Sequence, residues 1–154
     1  FSKEFPNWRL IMAGKGEIGR LLNEAERLGV RSSLDFLGWI EGDEKELELR
    51  RADVLVLPSY AEGMPVSVLE GMAYGAAIAT TPVGGIPDIM EPEREGLWMT
   101  PGDVGTMSAC LARLARSPEL RQRLASSAAL RVRRDNGVHE VLDKLWKIYK
   151  ETAH

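Results

Sequence analysis

The sequence predicts an α/β fold built on a doubly wound parallel sheet and closed by a helical C-terminal segment. Three observations carry this. Short apolar runs alternate with longer stretches of helical periodicity, the pattern of strand–helix–strand crossovers, which are right-handed in a parallel sheet. "VLVL" (Val54 to Leu57) is apolar on both faces, as a central parallel strand covered by helices should be. After Gly102 the strand signals cease and only helical patterns remain.

In chain order the expected strands are "WRLIMA", "SLDFLG", "DVLVLP", "AAIATT" and "GLWMT". Ile18, Leu21, Leu22, Ala25 and Leu28 follow the spacing of one helical face, and Gly29 stops that helix. Pro65 and Pro87 each suit the first position of a helix. Asp103 is suited to N-capping, and Ser117 before Pro118 reads as an N-cap followed by the first helical residue. Val138, Val141, Leu142, Leu145 and Ile148 make a last apolar stripe.

Composition narrows the function. A chain of 154 residues with 44% hydrophobic and 28% charged residues is the size and balance of one soluble globular domain, and a single domain over 1–154 is expected. The formal net charge of −3 gives no reason to expect nucleic acid, and no run approaches a membrane span, so a cytoplasmic protein is expected. "RVRR" (Arg131 to Arg134), the one basic cluster, reads as a solvated helix face. The single cysteine, Cys110, shares helical spacing with Val104, Met107, Leu111 and Leu114 and reads as a small buried hydrophobe. The two histidines, His139 and His154, complete neither a metal cluster nor a Ser-His-Asp set.

"GKGEIG" (Gly14 to Gly19) has the G-x-G-x-x-G spacing of a dinucleotide loop. Such a loop needs an acidic residue at the end of the second strand to hold the ribose hydroxyls. The only acid of "SLDFLG" is Asp35, inside the strand and short of its carboxyl end. A tight strand-to-helix turn explains the glycines better than NAD does.

"PSYAEGMPVSVLEGMAYG" (Pro58 to Gly75) carries the chemistry. Seven residues separate Glu62, in the loop leaving a buried strand, from Glu70, in the following helix. The N–H groups of Val66 and Ser67 at that helix's N-terminus suit a diphosphate. Two acids beside an anion make sense if each binds a neutral diol at opposite ends of a nucleotide-sugar, Glu70 the ribose and Glu62 the sugar. Gly84 and Gly85, in "VGGIPDIM", follow a strand's end and should flank the same pocket.

The stretch "ADVLVLPSYAEGMPVSVLEGMAYG", with "TTPVGGIPDIM", "PGD" and "FLGWI", resembles the C-terminal, donor-binding half of a GT-B glycosyltransferase of family 4, a retaining family. The resemblance covers nearly the whole chain. It implies that Glu62 touches the transferred sugar and Glu70 the ribose, with Gly63, Met64, Pro65, Val66 and Ser67 cradling sugar and phosphates. It further implies that Gly38, Trp39 and Ile40 form the base-contacting turn, and that Gly14 and Gly16 belong to a loop near the nucleotide. Two positions depart from the family pattern: Gly71 where alanine is common, and Ala77 where proline is usual.

The activity implied is transfer of a sugar from a nucleoside diphosphate to an acceptor, with no cofactor and no dedicated metal. A non-catalytic nucleotide-sugar binding module is the alternative, and an NAD-dependent oxidoreductase the third. The family's glycine-arginine and lysine-glycine pairs, which neutralise the leaving diphosphate, should precede Phe1, as should the N-terminal acceptor domain, this chain's expected partner. Any membrane contact would come through that half. If "WRLIMA" is the family's second strand and "DVLVLP" its fourth, a strand is missing between them. The gap should be filled by preceding residues, by another copy, or by direct closure, and this chain alone should bind nucleotide weakly, if at all, and transfer no sugar.

Overall fold

The computed structural model describes residues 1–152. His154 and the side chains of Val138 and His139, named above, lie outside the described residues, as does that of Lys144. The described chain has five strands and seven α-helices, and it divides into two compact units, Phe1–Glu48 and Leu49–His154.

In the first unit, β1 (Leu10–Ala13) pairs in parallel with β2 (Leu34–Gly38), Leu10 opposite Leu34 and Met12 opposite Phe36. Helix α1 (Ile18–Arg27) joins them and buries Ala25 of its apolar stripe, and its C-cap Leu28 lies directly before Gly29. Arg9 grips the Asp35 carboxylate with two nitrogens, at 2.8 and 2.6 Å. This pair holds Asp35 below the usual carboxylate range, chiefly through the hydrogen bond from Arg9. Helix α2 (Gly42–Arg51) follows and spans the boundary between the units.

The second unit contains a three-stranded parallel sheet in the order β3-β4-β5, formed by β3 (Val54–Leu57), β4 (Ala77–Thr80) and β5 (Gly96–Trp98). All five expected strands are therefore present, within one or two residues of their expected ends. Helix α3 (Val66–Tyr74) connects β3 to β4, and the short α4 (Ile86–Ile89) leads towards β5. Helices α5 (Val104–Arg116), α6 (Pro118–Asn136) and α7 (Val138–Thr152) complete the chain.

β4 is buried along its whole length, and its alternating side chains feed both faces of the sheet. On one face Ile78 packs with Val68 and Met72 of α3, Ile86 and Ile89 of α4, and Ala128 and Val132 of α6. On the other, Ala77 and Ala79 meet Leu97, Cys110, Leu114 and Leu124. The Cys110 thiol, as expected, lies in this apolar layer, donates to the Trp98 carbonyl, and is pushed up by burial. Asp103 and Ser117 cap their helices as read: Asp103 accepts from the N–H groups of Gly105 and Thr106, and Ser117 from Leu120.

Gly71 has a structural reason. A Cβ there would lie 3.1 Å from the δ-methyls of both Ile78 and Leu55. The residue that weakens α3 by ~1 kcal/mol relative to alanine thus lets the helix settle directly onto the sheet.

Three expectations need correction. β3, read as central, is an edge strand of its sheet and only half-buried along its length. Its apolar pattern signals what the strand can bury, and β4 covers one edge only. Arg131, read as part of a solvated face, is instead nearly buried against a fully buried Glu95. Its neighbour Val132 enters the core, while Arg133 and Arg134 are exposed as expected. Finally, Pro65 is the N-cap of α3 rather than its first residue, and Pro87 is the second residue of α4.

Helix α7 exposes Leu142, Leu145, Trp146, Ile148 and Tyr149. Among the described residues no helix is long and apolar enough to cross a membrane.

Candidate functional site

The carboxyl ends of the strands are where a doubly wound sheet presents its ligand sites. In the second unit that edge begins at Leu57, and the chain runs as a loop from Pro58 to Met64 before α3 opens. Glu62 lies half-buried in this loop and Glu70 half-buried in the second turn of α3. One Glu70 carboxylate oxygen, Oε2, is fully shielded from water.

The loop is fixed by bonds to its main chain. Thr80 donates its hydroxyl to the Leu57 carbonyl at 2.9 Å, and Thr81 donates to the Ser59 carbonyl at 2.6 Å. Both threonines are buried. Their positions at the end of β4 follow from its parallel register, which sets Leu57 opposite Thr80. Further along, the Gly85 N–H donates to the Gly63 carbonyl at 3.2 Å. The Ser59 hydroxyl donates to Oε1 of Glu62 at 2.5 Å, fixing the carboxylate itself.

Gly84 makes the nearest approach. Its backbone is left-handed, with φ of 55°, and a Cβ there would lie 1.6 Å from the Glu62 carbonyl oxygen. The "VGG" loop and the Glu62 loop are therefore packed backbone to backbone, and the expected neighbourhood of Gly85 and Glu62 is present. Residues Thr80 and Thr81 were not among the sequence candidates. They open the segment "TTPVGGIPDIM" without an assigned role, and as the polar end of an apolar strand they equally fit a strand running out into solvent.

The N-terminus of α3 differs from expectation in one detail. The Val66 N–H already donates to the Met64 carbonyl at 2.9 Å, so it is engaged within the turn. Ser67 is the next amide in line. Met64 and Val66 expose their side chains, whereas Pro65 is fully buried.

The remaining candidates lie in the first unit. Gly14 follows β1 and donates its N–H to the Gly38 carbonyl at 2.6 Å, joining the glycine turn to the end of β2. Gly16 lies just before α1. Trp39, largely exposed, has the Lys15 ammonium 4.9 Å from its ring centre and donates its indole N–H to Glu41, and the half-buried Ile40 follows. The engagement of Asp35 by Arg9 removes the one acid that a dinucleotide ribose could have used in β2.

A parallel α/β sheet thus carries two half-buried acids in the loop and helix that follow β3. Solved structures share the fold: a crystal structure of Anabaena HepE in complex with UDP superimposes with a TM-score of 0.87 at 18% identity, over 95% of this chain and 42% of that one, and a glycosyltransferase from Rickettsia africae with a TM-score of 0.81 at 18% identity, over 97% of this chain and 41% of that one. Residues 1–131 match the family model of glycosyl transferases group 1, and the chain belongs to that family. An uncharacterised glycosyltransferase of Methanocaldococcus jannaschii is 36% identical over 96 residues, covering 62% of this chain and 25% of its own length. The glycogen synthase of Mycobacterium tuberculosis is 30% identical over 131 residues, 84% of this chain and 32% of the relative. The chain thus spans about a quarter to a third of the length of these curated relatives.

Proposed function

We propose that this chain is the donor-binding part of a retaining, family 4 glycosyltransferase that moves a sugar from a nucleoside diphosphate to an acceptor such as a glycan or a lipid-linked sugar. The observation that carries the reading is the half-buried pair Glu62 and Glu70, one on the pinned loop that leaves β3 and one on the helix that the loop opens. The UDP held by the structurally similar HepE is consistent with it.

In this reading Glu70 accepts hydrogen bonds from the ribose, Glu62 orients the transferred sugar, and the segment Gly63 to Ser67 faces the diphosphate. Gly85 forms the second wall. Gly14, Gly16, Gly38, Trp39 and Ile40 are assigned to the nucleotide on the family resemblance alone. Catalysis would be mainly electrostatic, a fixed frame stabilising the diphosphate as it departs while its phosphate helps deprotonate the incoming hydroxyl. No metal ion is assigned. The acceptor half and the basic pair facing the diphosphate would lie outside these residues, together with a strand at the open edge of β3.

Calorimetry with UDP, GDP, ADP and NAD tests the assignment, and preference for NAD would overturn it. Glu70→Ala is expected to weaken nucleoside diphosphate binding, whereas Glu62→Ala spares the plain nucleotide and weakens the sugar-nucleotide. Each loss should be about 1.5–3 kcal/mol, the worth of a charged hydrogen-bonding partner. Equal weakening of the plain nucleotide by both substitutions would refute the division of roles.

A further inference from the structure

The Glu62 carboxylate is not held by the loop's backbone alone. Ser59, three residues earlier, donates its hydroxyl to Oε1 at 2.5 Å. The Ser59 main chain is in turn fixed by the buried Thr81 hydroxyl at 2.6 Å. The serine therefore hangs from the end of β4, and the carboxylate from the serine. Without that donor the Glu62 side chain keeps its rotatable bonds while its backbone stays pinned against Gly84.

We propose that Ser59 is the positioning residue for Glu62, and that the chain Thr81–Ser59–Glu62 sets the preference for a sugar-nucleotide over the bare nucleotide. The proposal rests on the reading of Glu62 as the sugar-orienting acid. A hydroxyl donating to one carboxylate oxygen leaves the other oxygen as an acceptor for sugar hydroxyls. It also removes, before the ligand arrives, rotamer freedom that binding would otherwise have to freeze. A positioned acceptor favours a ligand with hydroxyls at that place and is indifferent to one that ends at the β-phosphate.

The experiment measures dissociation constants of the purified chain for UDP and UDP-glucose, GDP and GDP-mannose, and ADP and ADP-glucose. The quantity read is the ratio of bare to sugar-bearing affinity for the pair that binds. Ser59→Ala is expected to leave bare nucleotide affinity within about twofold and to cut the sugar preference about tenfold, the scale of one hydrogen bond to a charged group. Ser59→Thr, which keeps the hydroxyl, should restore most of it. Glu62→Ala should abolish the preference, and Ser59→Ala added to Glu62→Ala should change nothing further. If Ser59→Ala weakens both members of the pair equally, or keeps the preference that Glu62→Ala loses, Ser59 is structural only and the proposal fails. If Glu62→Ala itself keeps the preference, the reading of the site fails first.

Discussion

Gly84→Ala is expected to destabilise the second unit by about 3 kcal/mol or more and to abolish sugar-nucleotide binding. The added methyl would lie 1.6 Å from the Glu62 carbonyl oxygen and 2.6 Å from its carbon. Ordinary carbon–oxygen approaches are about 3.3 Å, so one of the two loops must retreat by roughly 1.7 Å. No side chain can give way, because the obstructing atoms are backbone. Added to this is ~1–2 kcal/mol for holding alanine in the left-handed region. Gly75→Ala separates the two effects. Gly75 also has positive φ, at 83°, but a methyl there meets nothing within 4 Å. It should lose only the conformational cost and keep ligand affinity. Urea unfolding and calorimetry on both variants check this, and equal losses from the two would show that the contact with Glu62 does not matter.

Removing the Arg131 guanidinium is expected to cost about 3–5 kcal/mol, the range for orphaning a buried charge. Glu95 is 2% exposed and accepts from the Glu91 N–H, with Arg131 at 3.2 Å and Arg94 at 3.3 Å. Arg131 also donates to the Asp88 carbonyl at 3.1 Å, tying α6 to α4 and so to the segment that begins with the "VGG" loop. Arg131→Met should therefore shift the urea midpoint strongly downwards. Arg131→Met with Glu95→Leu should recover much of the loss, since no charge is then left stranded in the interior. A double variant as unstable as the single one would show that the pair is held by something other than mutual neutralisation.

The sequence was legible where one residue's preference decided the outcome. Asp103 and Ser117 cap their helices because each side chain satisfies amides in its own first turn. Glu62 and Glu70 lie in the elements the sequence predicts, one in the loop leaving β3 and one in the helix that follows, because a buried strand, a short loop and a helix start leave few other routes. It was less legible where the answer depended on a distant partner. Arg131 looks like its solvated neighbours until Glu95, 36 residues earlier, is brought beneath it. β3 has the composition of an inner strand, yet composition records how much surface must be covered and not which segment covers it. The roles of Thr80 and Thr81 are hidden for the same reason, since their hydroxyls acquire meaning only from the carbonyls of Leu57 and Ser59 across the register.

The bonds that hold the Glu62 loop, apart from Ser59's own, run to main-chain carbonyls at Leu57, Ser59 and Gly63. Such anchors do not depend on which side chains the loop carries. Tyr60 and Met64, 77% and 65% exposed, project from a frame that is secured without them. Substitutions at these two positions can therefore accumulate at little folding cost while the acid stays where it is. A lineage built on this loop is free to vary two outward-facing side chains beside the acid, with no intermediate that must first lose its fold.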